Sequence, residues 1–445
     1  MQAHANPAAG PWALRSLVAA LAAASACGAW AQDAEPSPYY IGASLAYTHD
    51  TNVSNTAGGV GDNYSTVGLV GGFDQAIGRQ RLYANARVGY SKYQSETQYN
   101  NTNYGVTAGW NWATINNLSG NVAATANQGL ASLANTSGLP TTNGDKNLVK
   151  TDQVSTSVLW GGVGDLGIQG SYAHSRVKYT GSASATSESS GDSGSIGTFY
   201  KLGPTLKLGV DVRYSRTYTP YAQVKASAPP APTPPATRPL EDYESNTADG
   251  RNLDLTANWQ ISPETGVDTR LSWTRQTNST TTSLDFSGLT GAITARYAPT
   301  SKTSFNATFS RDAGTNASFF TYIPTNTAAG GTTTGSTGTT SNAPETVLTQ
   351  TSQTANNYSL GVKYLATAKI SVSADGSYRR AKLLDANGDE SDENTRIASL
   401  GVSYAAGRNW SLGCNLSHSS RSANGVNGTS YSATSTGCTA QVTLR

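Results

Sequence analysis

Cysteine, methionine and histidine are almost missing from this chain of 445 residues, which holds three, one and four of them. So few cysteines fit an exported protein without the disulfide framework of small secreted domains. No metal site and no cofactor is expected. Charge is sparse in both signs, with 30 basic and 28 acidic residues, and a formal balance of +2 offers nothing for nucleic acid to bind. Long apolar runs are absent as well. The best candidate, Ser16 to Ala26, is too short to cross a bilayer as a helix. It follows Arg15 and precedes Ala29-Trp30-Ala31, so it reads as an export signal cleaved before Gln32. Residues 1–31 are then the signal peptide and 32–445 the mature chain. A competing reading makes Cys27, after Ala24-Ser25-Ala26, a lipid-modified N-terminus.

What is present is glycine, serine, threonine, asparagine and tyrosine, which favour strands and turns over helices. A mean hydropathy of −0.39 would suit a polar, unstructured chain if order were ignored. Order changes that. Roughly eighteen times, about eight to twelve residues alternate apolar and polar and then give way to a turn or loop. Leu82, Ala84, Ala86, Val88 and Tyr90 alternate with Arg81, Tyr83, Asn85, Arg87 and Ser91. Leu206, Leu208, Val210, Val212 and Tyr214 alternate with Lys207, Asp211 and Arg213 in the same way. Successive side chains of a strand point to opposite faces, so each strand has one greasy face and one wet face.

A soluble sandwich also alternates; the connections separate the two cases. Short turns at Ile77-Gly78, Asn116-Asn117, Val163-Gly164, Gly203-Pro204, Pro263-Glu264, Pro299-Thr300, Thr367-Ala368 and Gly407-Arg408 alternate with long polar segments. That is the rhythm of a transmembrane barrel, with short periplasmic turns and long extracellular loops. The expected fold is all-β: one antiparallel up-and-down barrel of about 18 strands, with both termini in the periplasm. The longest outer loops fall at 219–250, which contains the proline-rich run Ala228 to Pro239, and at 313–355. Aromatics sort by strand end. Trp110, Trp112, Trp160, Trp259, Tyr297, Tyr364, Tyr404 and Trp410 lie beside short turns, and Tyr47, Tyr90, Tyr104, Tyr172, Trp273 and Tyr378 lie at the opposite ends. Two such rings suit the two interfaces of a bilayer. The expected location is the outer membrane of a Gram-negative bacterium, with its lipid and lipopolysaccharide as surroundings.

Three motifs resemble chemistry. Gly162-Val163-Gly164-Asp165-Leu166-Gly167 matches a dinucleotide fingerprint, but a strand rather than a helix should follow, so it reads as a turn. Gly191-Asp192-Ser193-Gly194-Ser195 resembles a serine-protease nucleophile region, and His174-Ser175 offers a base beside a hydroxyl; both read as polar rim residues. The run Asp385 to Glu393 has alternate acids, but Glu390 and Arg396 stand where a calcium loop needs glycine and a bidentate acid. It reads as a solvated loop, with loose divalent-ion or lipopolysaccharide bridging as the sharper alternative. No catalytic residue is expected.

The phase of each strand assigns an inward set. Its bases are Arg81, Arg87, Lys201, Lys207, Arg213, Arg270, Arg296, Lys363 and Arg379; its acids are Asp74, Asp211, Asp254, Asp268 and Asp375. Positive charge predominates, which would concentrate anions. Some of these charges should pair across strands: Asp211 with Arg270 or Arg213, and Asp268 with Arg270. Phe319, Phe320 and Tyr322 form an aromatic patch that could stack on sugar rings or simply be loop. Cys414 and Cys438 sit symmetrically about Asn424-Gly425-Val426-Asn427-Gly428 and could face each other across the last hairpin, as a disulfide or as two free thiols.

Residues 38–93 carry a resemblance. Tyr47-Thr48-His49-Asp50-Thr51-Asn52-Val53, then Phe73-Asp74, then Gly78-Arg79-Gln80-Arg81-Leu82, resemble the β-barrel porin family, in particular the EpsL-type outer-membrane proteins of exopolysaccharide gene clusters. The resemblance implies a channel that passes a newly made polysaccharide, anionic if the lumen is positive, in company with periplasmic export components. Two alternatives share the fold: a general or anion-preferring diffusion porin, and a structural or adhesive barrel closed by its own loops.

Overall fold

A computed structural model describes residues 37–444, apart from 132–145, 162–164, 182–187, 230–238, 281, 314–351, 385–389, 408 and 425–429. Its strands are β1 (Tyr39–Asp50), β2 (Asp62–Ile77), β3 (Gln80–Tyr93), β4 (Asn101–Ala113), β5 (Leu118–Leu130) and β6 (Leu148–Trp160). Then come β7 (Leu166–Tyr179), β8 (Ser189–Leu202), β9 (Leu206–Val224), β10 (Tyr243–Ser262), β11 (Thr265–Asn278) and β12 (Phe286–Thr300). The last are β13 (Thr303–Ala313), β14 (Ser352–Leu365), β15 (Ile370–Leu384), β16 (Glu390–Ala405), β17 (Trp410–Ala423) and β18 (Tyr431–Leu444). Each pairs antiparallel with its sequence neighbours in one 18-stranded sheet. β1 closes on β18, from Ile41 opposite Leu444 to Asp50 opposite Ser435. Closure leaves no strand edge unpaired, the condition for a sheet to survive in hydrocarbon.

The alternation explains the outward face. Val67, Leu69, Val88, Val210, Val212, Leu253, Leu255 and Leu360 are each about half exposed, on the outside of the wall. So many solvent-facing aliphatics would be untenable in water; they are the surface that lipid covers. Trp160, Trp259, Tyr297 and Tyr364 ring one end of this face, and Tyr47, Tyr90, Tyr172 and Trp273 the other. The chain is a closed outer-membrane barrel. Crossing takes roughly 9–11 tilted residues, whereas β9 and β10 hold 19 and 20. Their surplus stands above the membrane.

At the other end the turns are tight. Gly78 between β2 and β3 takes φ +60, and Gly203 between β8 and β9 takes φ +67. A side chain would strain either turn.

The connection expected at 219–250 is shorter than the sequence suggests, because β9 continues to Val224 and β10 begins at Tyr243. Thr217 faces Ala248 and Thr219 faces Asn246 in register. Above the lipid both faces of a strand are polar, so the apolar–polar contrast that marks it disappears. The other long connection spans 314–351 between β13 and β14 and lies outside the described residues. So do residues 1–31, expected to be a signal peptide, with Phe319, Phe320, Tyr322, most of the proline-rich run and Asp385–Asp389. The glycine run beginning at Gly162 leads into strand β7, not a helix.

Cys414 and Cys438 are direct cross-strand partners of β17 and β18. They form a disulfide with Cα atoms 4.1 Å apart, and both are exposed on the outward face.

Candidate functional site on the lumen wall

Charged side chains on the inward face are held in ladders. Arg213 of β9 and Asp254 of β10 form a two-point pair at 2.6 and 3.1 Å, both buried. Arg296 of β12 pairs with Asp268 of β11, which also accepts from Asn258. Arg81 of β3 grips Asp74 of β2 at 2.8 and 2.5 Å. Glu393 of β16 is fully buried between Arg379 of β15, at 3.0 Å, and Arg421 of β17, at 2.5 Å. Arg270 reaches past β12 to Asp312 of β13 at 3.5 Å.

These partners differ from those expected. Asp211 accepts two bonds from the Gln169 amide at 2.8 Å rather than pairing with an arginine, and Asp268 takes Arg296 rather than Arg270. The register supplies the reason. Arg213 stands opposite Asn252, Arg379 opposite Thr395, Arg421 opposite Thr395 and Arg81 opposite Ala76. Each arginine therefore reaches the diagonal neighbour, which a long side chain can do. Between the ladders run neutral links, such as Asn252–Thr274–Thr290 with both bonds at 2.7 Å.

Sequence phase missed several inward groups. Asp50, Asp62, Asp312 and Glu393 join the acids and Arg421 joins the bases, so the wall is closer to balance than expected. Each lies at an outer strand end beside a loop, where phase is hardest to read. Their roles there are visible. Asp62 accepts the backbone N–H groups of Ser95 and Glu96, folding segment 94–100 against the wall. Tyr64 stacks on Tyr93 at 4.7 Å and Tyr93 meets Tyr99 edge-on at 6.0 Å. Burial pushes the Tyr99 phenol up.

Charge is uneven along the axis. Near the periplasmic strand ends stand Arg81, Lys201, Lys207, Arg296 and Lys363 against Asp74 and Asp268. Lys201 and Lys207 are direct cross-strand partners. Both lie over the ring of Phe199, with ammonium nitrogens 5.8 and 4.0 Å from its centroid. Lys207 also donates to Gln169 at 2.9 Å and meets Asp211 only through that amide. Phe199 is 1% exposed. It is seated on Gly167, where a Cβ would stand 2.1 Å from the ring. Arg87 and Asp375 lie inward at mid-height, and Asp375 stands opposite Gly361.

Geometry also separates the enzyme-like residues. His174 points outward and bonds Asp192 at 2.9 Å, while neighbouring Ser175 and Ser193 are on the inward face. Neither of these two serine hydroxyls shares a face with the histidine.

No family model and no curated relative matches the chain. Solved structures similar to it include OccK1 (OpdK) of Pseudomonas aeruginosa, at 11% identity, covering 91% of this chain and 99% of that one, with a TM-score of 0.43. OccAB4 of Acinetobacter baumannii gives 10%, 92%, 99% and 0.42. The siderophore receptor PiuA from Acinetobacter baumannii gives 10%, 93%, 82% and 0.40. The protein's class rests on its own wall: a closed 18-stranded antiparallel barrel of the Gram-negative outer membrane.

Proposed function

We propose that the barrel is an export channel for an exopolysaccharide, anionic in character, that enters from the periplasm. The observation that carries this reading is the cross-strand lysine pair Lys201 and Lys207 over Phe199 at the periplasmic mouth. Two like charges directly opposite on a wall repel each other. An anion passing the mouth relieves that repulsion, and the low-dielectric wall strengthens the attraction. The polymer itself is suggested by the resemblance of residues 38–93 to EpsL-type proteins. Transport would be passive, driven by synthesis elsewhere. Deleting the gene in a polymer-producing strain should leave polymer in the periplasm and strip it from the surface. Normal surface polymer in the deletion strain would sink the reading. An anion-preferring diffusion porin would instead show lost anion uptake with polymer intact.

A further inference from the structure

A polar recess lies in the inner wall well above the lysine pair. Ser215 follows Lys207 along β9 by roughly 26 Å at the usual rise of a strand. Ser215 of β9, Gly250 of β10 and Gln276 of β11 stand directly opposite one another in a single register row. The recess they line extends to Arg213, Asn252 and Asp312. Gly250 gives it depth, since a Cβ there would stand 2.4 Å from the Ser215 hydroxyl oxygen.

Two polar groups in the recess are left over. Ser215 and Gln276 are each only 5% exposed. Among the described residues, neither the Ser215 hydroxyl nor the Gln276 amide has a hydrogen-bond partner. The neighbouring row shows the contrast: Thr274 donates to Asn252 at 2.7 Å, and Asn252 donates to the Arg213 carbonyl at 3.5 Å. Buried polar groups that the protein leaves unmet are costly and mark places that something else completes.

Charge and shape limit what that is. Arg213 is paired with Asp254, and Asp312 with Arg270, so the recess has no surplus charge with which to select an ion. A serine hydroxyl and a glutamine amide each donate and accept, which matches neighbouring alcohol groups. Phe286 of β12 stands directly opposite Gln276 on the same inward face. Its ring tip reaches Gly288, where a Cβ would stand 3.0 Å from Cζ. An aromatic group beside a hydroxyl-binding edge suits a pyranose, which has an apolar C–H face and a polar rim.

We propose that this recess binds the hydroxyl edge of a neutral sugar unit of the passing polymer. The proposal rests on the export reading for the source of the sugar. It adds a neutral, hydroxyl-reading step toward the outer end to the basic mouth at the periplasmic end.

The test uses the full purified barrel in planar bilayers. Its probes are neutral hexasaccharides of glucose, mannose and galactose, each compared with its fully O-methylated form, which keeps the rings and loses every hydroxyl donor. At least one free sugar should block the current about tenfold longer than its methylated form, the order that one or two hydrogen bonds supply. Gln276→Met and Gly250→Ala change no charge, and each should remove most of that difference while the reversal potential stays that of the parent. Ser417→Ala, on the inward face of β17, should leave the difference intact. Heat-modifiable gel mobility reports folding; if Gly250→Ala does not fold, Ser215→Ala replaces it. Equal block by free and methylated sugars in the parent would mean that water alone fills the recess and would overturn the proposal. A difference that survives in folded Gln276→Met would overturn it as well. Block is read in the pure protein and export in the deletion strain, so either reading can fail without the other.

Discussion

At the scale of single residues, the inward wall shows how charge is kept in a place that is neither bulk water nor hydrocarbon. Glu393 is fully buried and holds two guanidiniums that come from strands on either side of it. Glu393→Gln would leave both without their counter-charge, which for a broken buried pair costs about 3–5 kcal/mol. The urea midpoint of the refolded barrel should fall accordingly, while Arg380→Gln, at an exposed pair, should shift it by less than about 1 kcal/mol. Equal shifts would mean that Glu393 is not the clamp. The lysine pair makes a different prediction. Lys201→Glu with Lys207→Glu should move bilayer reversal potentials from anion toward cation preference, and Lys92→Glu, on the outside of the wall, should not. Inward bases well inside their strands, such as Arg87, Arg213 and Arg270, were legible in sequence because alternation there is clean. Asp312, Glu393 and Arg421 were not, since the outer strand ends are polar on both faces. The diagonal partners were also hidden, because they depend on register between strands, which no single strand encodes.

At the scale of elements, the last hairpin is tied covalently. The cross-link between Cys414 and Cys438 encloses a 24-residue separation, and such a loop contributes roughly 3 kcal/mol by restricting the unfolded chain. The pair lies on β17 and β18, and β18 also closes the barrel on β1, with Tyr47 opposite Cys438. Cys414→Ser with Cys438→Ser should lower the temperature at which the barrel loses its compact gel mobility. Reductant should reproduce that shift in the parent and do nothing to the double variant. A parent insensitive to reductant after unfolding would show that the thiols are not joined. Sequence placed these cysteines about a common turn but left free thiols open; register decides it by making them direct neighbours. The same limit explains the connection after β9. Thr217 and Thr219 belong to the strand because Ala248 and Asn246 answer them, a fact invisible to a reading of β9 alone.

At the scale of the whole molecule, closure, lipid-facing aliphatics and two aromatic rings follow from one repeated alternation, which is why the barrel was readable in sequence. Function is less so, because diffusion porins and polymer exporters share that wall. What distinguishes this one is the direction of its charge, with bases in excess at the periplasmic mouth and carboxylates added at the outer end. Planar bilayers holding the purified barrel in a known orientation test this most directly. Acidic oligosaccharide added on the periplasmic side should interrupt an anion-preferring current, a neutral oligosaccharide of equal length should do so far less, and Lys201→Glu with Lys207→Glu should abolish the difference. Equal interruption by both sugars, or a difference that survives in that variant, would contradict an export channel that selects its polymer at this mouth.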